Sequence, residues 1–328
     1  MLKIAILALE NCMCSSVTGP IDIFSVACRE WKKISANKEA FCDIKIVSYD
    51  GKPVTGFNGL LITPHQGMSA ADCFDILIVP VLFGDLDAII GHREVIGWIK
   101  EQHAGGACVC TVCAGSFLAA EAGLLTGRKA TTHWLLADAF RQKYPDVILK
   151  PEKMLVDEGD CVSSGGVTAY LDLCLYIAGR FGSPELVSSL SKILLIDPAR
   201  QAQSPYQTYS FQKAHGDQEI LKVQGWLDMH FNEEISVPDL AGIAGLGERT
   251  FARRFKKATA DTPLEYVQMM RIEKARRMLE STNEGMDAII TQIGYDDLSS
   301  FRRLFKKHTG LSPSAYRRRF STYYSFTS

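Results

Sequence analysis

Laying residues 240–266 over residues 290–316 brings Ile243/Ile293, Phe251/Phe301, Arg253/Arg303, Phe255/Phe305, Lys256/Lys306, Lys257/Lys307, Thr259/Thr309, Pro263/Pro313 and Tyr266/Tyr316 into identical pairs at one offset of fifty residues. A fixed-period repeat means that one supersecondary unit is used twice. In each copy a short apolar segment (Leu240, Ile243; Ile290, Ile293) is followed by a turn, Gly245-Leu246-Gly247 or Gly294-Tyr295-Asp296-Asp297, and then by a longer amphipathic stretch. The order is helix, turn, helix.

The second helix of each copy separates into two faces. Phe251, Phe255 and Ala258, like Phe301, Leu304 and Phe305, recur at helical spacing and form a core stripe. The other row is Arg249, Ala252, Arg253 and Lys256 in one copy and Ser299, Arg302, Arg303 and Lys306 in the other. Arginine forks onto guanine edges or phosphate, serine reaches either, and lysine supplies phosphate charge, so the row has the chemistry of a major-groove reader. A single basic face is more often merely solvated. Its duplication at the same helical positions favours DNA.

Residues 235–320 resemble the AraC/XylS-type DNA-binding domain, including the ending Gly310-Leu311-Ser312-Pro313 followed by Tyr316-Arg317. The resemblance implies that a long helix near residues 263–280 joins two helix-turn-helix units whose reading helices enter successive major grooves. Carried over position by position, it implies base readers at Arg249, Ala252, Arg253, Leu298, Ser299, Arg302 and Arg303. Ala252 and Leu298 are apolar where a polar reader is common, which suits thymine methyls or no readout.

With 328 residues the chain exceeds the usual single-domain size and favours two domains with their own cores. The net charge is −1, so nucleic-acid affinity must come from clustering rather than surplus. Ten cysteines without framework spacing read as reduced, buried thiols of a cytoplasmic protein. The apolar run from Ile4 to Leu9 is too short for a signal peptide, and no run approaches membrane-spanning length.

Before the repeat, strand and helix signals alternate. Near-continuous apolar runs at 4–9, 42–47, 76–80 and 107–112 read as parallel strands buried on both faces. Amphipathic stretches lie at 20–32, 95–102, 117–122, 134–143, 171–181 and 184–195. The expected fold is an α/β sandwich with a mostly parallel sheet over residues 1–197, followed by an all-α double helix-turn-helix domain over 218–328. Residues 198–217, rich in Gln, Ser, Pro and Tyr without periodicity, are the expected linker.

Cys113 is the chemical candidate in the first half. It ends the strand run and opens Ala114-Gly115-Ser116 into a helical stretch, the geometry of a nucleophile elbow, where a helix N-terminus is expected to lower the thiol pKa. A cysteine at a strand end is usually inert packing. Three longer stretches add to it: Val112-Cys113-Ala114-Gly115 with Ala130-Thr131-Thr132-His133-Trp134, Gly19-Pro20-Ile21-Asp22, and Ser163-Ser164-Gly165-Gly166. Together they resemble the ThiJ/PfpI branch of the class I glutamine-amidotransferase-like superfamily, with its flavodoxin-like sheet. The particular likeness is to GlxA-type regulators, in which that domain precedes an AraC-type one.

Two departures from that family bear on chemistry. Ser16 stands where its enzymes commonly place a Glu, and Val81-Leu82 replaces the glycine pair of the oxyanion site, with Gly84 arriving late. Both weaken the case for thiol catalysis. The expectation is therefore a pocket at Cys113, His133, Ser16 and Ala114 that binds a small metabolite without cofactor or metal. The alternative is a cysteine-dependent hydrolase or hydratase using Cys113 and His133. Cys110 and Cys113 are formally C-x-x-C, but a strand running into an elbow has the wrong geometry for a dithiol turn or a zinc site. Tyr323, Tyr324 and Phe326 are expected to be a frayed tail.

The expected function is a cytoplasmic, homodimeric transcriptional activator. Its expected partners are promoter DNA, RNA polymerase and an effector such as an amino acid, amine or quaternary ammonium compound. No membrane partner is expected.

Overall fold

The computed structural model describes residues 1–35, 39–70, 72–198 and 200–322. Tyr323, Tyr324 and Phe326 lie outside the described residues. Two compact units are present, Met1–Gln203 and Ser204–Ser328. Among the described residues no helix is long and apolar enough to cross a membrane.

The first unit is built on a seven-stranded sheet in the order Leu155–Asp157, Cys161–Ser164, Cys108–Val112, Ile76–Val79, Leu2–Leu7, Cys42–Ser48, Gln66–Gly67. All neighbours pair in parallel except the edge strand Leu155–Asp157, which runs antiparallel to Cys161–Ser164. The two innermost strands explain the unbroken apolar runs. Ile4, Ala5, Ile6 and Leu7 are fully buried beside fully buried Ile76, Leu77, Ile78 and Val79, because helices cover the sheet. One helical group is Cys14–Ile34 with Tyr170–Phe181 and Pro184–Ile193; another is Arg93–Ala104 with Gly115–Glu121. The first helix starts at Cys14, earlier than the expected start at Pro20. An internal proline there forgoes only one backbone bond, to residue 16.

After the central strand Leu2–Leu7 the chain moves outward to Cys42–Ser48, then returns on the other side at Ile76–Val79. That reversal leaves a crevice at the carboxyl ends of the strands, the usual ligand position in open α/β sheets. Cys113 stands at the same edge, just past Cys108–Val112.

The second unit is all helical: Gln218–His230, Val237–Ala244, Glu248–Thr259, Pro263–Ser281, Met286–Gln292, Leu298–Thr309 and Pro313–Phe320. It has two cores, one per repeat copy, and the long helix Pro263–Ser281 serves both. Tyr266 and Val267 close the first core, while Ile272, Ala275, Met278 and Leu279 open the second. That helix starts where its residues dictate. Thr262 and Glu265 form a reciprocal capping box, and Pro263 occupies the first turn, where its missing N–H is harmless.

The repeated residues make repeated geometry. Phe251 and Phe255 lie 5.5 Å apart, and Phe301 and Phe305 lie 5.6 Å apart. Tyr266 meets Phe255 edge-on at 5.3 Å, and Tyr316 meets Phe305 edge-on at 5.4 Å. Thr259 Oγ1 donates to the Phe255 carbonyl at 2.9 Å, and Thr309 Oγ1 to the Phe305 carbonyl at 2.8 Å. Each reading helix then ends in a left-handed residue, Ala260 (φ 70°) or Gly310 (φ 73°).

The described residues of 198–217, the expected linker, contain a short 3-10 turn, Ser204–Tyr206, and are fastened at many points. In the first unit, the Arg200 guanidinium pairs with Asp172 and Gln203 is buried. In the second, Arg276 donates to the carbonyls of Ser204, Pro205 and Gln207, and Phe211 packs on Tyr266 at 5.0 Å.

Candidate nucleic-acid interface and effector site

The two reading helices, Glu248–Thr259 and Leu298–Thr309, each bury one aromatic stripe and leave the opposite row to solvent. Arg249, Arg253 and Lys256 are exposed in the first copy, as are Ser299, Arg302, Arg303 and Lys306 in the second. Ala252 is half-buried, and Leu298 is half-buried against the second core. The row in the second copy therefore begins at Ser299. Asp297 caps this helix, accepting from the backbone N–H groups of Ser299 and Ser300 at 2.9 Å, and Arg303 donates to Ser300 Oγ at 3.1 Å. The neighbouring cation Arg254 faces elsewhere, held by Asp217 at 2.6 Å. The turns match the sequence: Gly245 and Gly294 both have positive φ, and a Cβ on Gly294 would lie 2.2 Å from the Asn232 carbonyl oxygen.

At the elbow, Cys113 adopts φ 56°, a left-handed conformation rare for a residue with a side chain. Three donors fix it. Its carbonyl accepts from Ser116 N–H at 3.2 Å, Ser116 Oγ at 2.9 Å and Thr132 Oγ1 at 3.0 Å. Gly115 has no room for a side chain, since a Cβ would lie 2.7 Å from the Pro80 carbonyl oxygen. The expected activation of the thiol is corrected by its surroundings. Cys113 is only 5% exposed, and burial pushes its thiol up to about 12, while the Ala114 N–H offsets part of the rise.

The other expected pocket residues form framework. Ser16 Oγ donates to the Met13 carbonyl at 2.8 Å and accepts from Val81 N–H at 3.1 Å, tying the first helix to the segment after Ile76–Val79. The backbone donor of Val81 is thereby occupied. His133 Nδ1 accepts from Leu135 N–H at 3.1 Å, and burial lowers its pKa. Among the described residues no hydrogen bond joins His133 to Cys113. Ala114 is buried beside the elbow.

Gln203 is a residue that sequence reasoning missed. Its amide nitrogen lies 2.8–3.1 Å from Thr131 Oγ1 and the carbonyls of Thr132, Pro151 and Lys153, and its oxygen accepts from Trp134 N–H at 3.3 Å. It fills the space that Gly165 leaves free, where a Cβ would lie 1.9 Å from the Gln203 nitrogen. The glycine pair Gly165-Gly166 was the available signal.

A cavity of about 470 Å³ opens at the carboxyl ends of Leu2–Leu7 and Cys42–Ser48, with Glu10, Tyr49, Asp50, Lys52, His92 and Glu94 on its wall. Asp50 is paired with Lys52 at 2.8 Å, and Glu10 accepts from Thr55 N–H at 3.0 Å. Elsewhere His103, Asp160 and Cys161 cluster in a manner able to hold a metal. Arg128 already pairs with Asp160, however, and His103 Nε2 lies 2.8 Å from its other oxygen, so both carboxylate oxygens of the cluster are engaged.

Residues 3–179, more than half of the chain, match the DJ-1/PfpI family. The chain belongs to the DJ-1/PfpI family. Behind that match, residues 240–319 match a helix-turn-helix domain. The protein is 28% identical over 271 residues to the HTH-type transcriptional regulator CdhR of Pseudomonas aeruginosa, a span covering 82% of this chain and 80% of CdhR. It is 32% identical over 136 residues to isonitrile hydratase of Pseudomonas putida, covering 41% of this chain and 58% of the hydratase. The crystal structure of an AraC family transcriptional regulator from Pseudomonas putida shares the fold with a TM-score of 0.51 at 18% identity, over 59% of this chain and 100% of that one.

Proposed function

We propose that this DJ-1/PfpI protein reads promoter DNA with its duplicated helix-turn-helix units and adjusts that reading to a small metabolite. It is a DNA-binding transcriptional regulator. The observation that carries the reading is the pair of exposed cationic rows on two helices with the same buried scaffold. Arg249, Arg253, Ser299, Arg302 and Arg303 meet base edges or phosphate, while Lys256 and Lys306 supply phosphate charge. Two copies of the chain bind two half-sites in the cytoplasm, and the DNA-bound dimer engages RNA polymerase as an activator.

The test is titration of an operator selected from random duplexes. Arg253→Ala or Arg303→Ala should each cost about 1–3 kcal/mol of specific binding, and Lys306→Ala should weaken all sequences alike while lowering the salt slope by about one. Unchanged operator affinity in both arginine variants would sink the assignment.

The metabolite binds at the carboxyl edge of the sheet, and the unit senses rather than catalyses. Glu10, Asp50 and Glu94 with Tyr49 outweigh Lys52 and His92 around the cavity there, which suits an amine or quaternary ammonium group better than an anion. The ligand acts only through its differential affinity for two states of the dimer. A thermal-shift screen of such cations should show stabilisation that Glu94→Gln weakens and Cys113→Ala leaves intact. The second reading, a hydrolase or hydratase using Cys113 and His133, is favoured by the likeness to isonitrile hydratase alone. Consumption of a compound by wild type but not by Cys113→Ala would establish it.

A further inference from the structure

The ten thiols are free, but three are not fully buried as expected: Cys73 is exposed, and Cys14 and Cys28 are half-buried. Two pairs of sulfurs approach one another, Cys28 with Cys42 at 3.6 Å and Cys108 with Cys110 at 3.9 Å. The second pair has little use for its proximity. Cys108 and Cys110 lie two apart on one strand, so their side chains stand side by side from the same sheet face, and closing the gap to a bond would bend a central strand.

Cys28 and Cys42 differ in every respect that matters. Cys28 projects from the helix Cys14–Ile34 and Cys42 opens the strand Cys42–Ser48, so their sulfurs meet across a helix-sheet contact. The Cys28 thiol also reaches the Cys42 carbonyl at 3.3 Å. Phe41, the residue before Cys42, is wedged between Trp31 at 5.6 Å and Phe24 at 6.4 Å, which holds the strand start against the helix. Cys28 is open enough to meet a small oxidant, while Cys42 behind it is buried. Donation from the Cys42 thiol, opposed by burial, pulls Cys28 down to about 6, and the same contact pushes Cys42 up.

We propose that Cys28 and Cys42 are a peroxide-sensitive dithiol that closes to a reversible disulfide tying the helix Cys14–Ile34 to the strand Cys42–Ser48. The Cys28 thiolate attacks one oxygen of hydrogen peroxide, the O–O bond breaks, and a proton completes the departing water, leaving a sulfenic acid. The Cys42 sulfur then attacks the Cys28 sulfur, the S–O bond breaks, and the Cys42 proton leaves with the hydroxyl as a second water. Two thiols and one peroxide thus give one disulfide and two waters. The helix that is stapled is the one whose Ser16 holds Val81, so oxidation stiffens the framework beside the carboxyl edge of the sheet.

The reduced full chain is treated with a small excess of hydrogen peroxide, quenched with acid and N-ethylmaleimide, and digested without reductant. A cross-linked peptide joining Cys28 to Cys42 should appear, about 2 Da lighter than its two thiol halves and restored by dithiothreitol. It should form at least about tenfold faster than oxidation of the exposed Cys73. In Cys42→Ser, dimedone should trap a sulfenic acid at Cys28; in Cys28→Ser, Cys42 should stay reduced at the same dose. Peroxide should raise the melting temperature of the wild type and leave that of Cys42→Ser unchanged. Oxidation of Cys28 no faster than Cys73, or wild-type products limited to sulfinic acid and intermolecular cross-links, overturns the proposal.

Discussion

Cys113 admits a quantitative test, because a sensor and a thiol enzyme demand opposite reactivity from it. Burial raises its pKa from 9.0 to about 12, which lowers the thiolate fraction at neutral pH by about a thousandfold. A more basic thiolate is also a better nucleophile. With a Brønsted slope of about 0.4–0.5, the rise returns a factor of about 20–30 and leaves alkylation about 30–60-fold slower than at an ordinary thiol. The 5% exposure of the side chain can only slow it further. Iodoacetamide at pH 7.5, followed by peptide mapping, measures this with the exposed Cys73 as reference in the same tube. Raising the pH should accelerate Cys113 labelling well past pH 9, where an ordinary thiol levels off. If Cys113 is alkylated as fast as Cys73 or faster, the burial argument is wrong and the catalytic reading takes its place.

Two further predictions concern stability. Ala260→Gly should stabilise the helical unit by about 0.5–1 kcal/mol, since a left-handed alanine costs about 1–2 kcal/mol and the added chain entropy of glycine returns part of that. Gly310→Ala should do the reverse, by about 1–2 kcal/mol, because its Cβ would also lie 2.8 Å from Ser204 Oγ; urea melts that move both variants the same way refute the reasoning. Gln203→Leu should cost the first unit about 1–3 kcal/mol by removing the amide that bridges Thr131 Oγ1 and the Thr132, Pro151 and Lys153 carbonyls. Hydrogen exchange should show Trp134 N–H losing protection, and unchanged protection there would contradict the assigned bond.

The helical unit was legible because its signals are local. Whereas the joining helix was implied by the family resemblance, the Phe251/Phe255 stripe and its twin recur at helical spacing whatever lies around them. The same holds for Ile76–Val79, an apolar run that only a strand buried on both faces accounts for. What was hidden depends on residues distant in sequence. Ser16 is explained only by Val81, sixty-five positions away, and Gln203 only by carbonyls fifty or more positions back. The local cue at Cys113, a helix start after a strand, pointed to a lowered pKa, and burial by the surrounding fold reverses the sign. The cavity wall draws on residues 10, 49–52 and 92–94, a combination with no mark in the chain until the strands are placed in order.

The two reading helices also carry a history. Between the copies, the residues kept identical are Ile243/Ile293, the buried Phe, Thr, Pro and Tyr of the scaffold, and the cations Arg253/Arg303, Lys256/Lys306 and Lys257/Lys307. Within the outward row, the positions that changed are exposed Arg249 against Ser299 and half-buried Ala252 against exposed Arg302. On the proposed reading, a duplicated segment arranged this way can drift in which bases it prefers without unfolding and without losing the phosphate charge of Lys256 and Lys306, since those obligations rest on other side chains. New operators are then within reach of single substitutions at two helical positions in either copy.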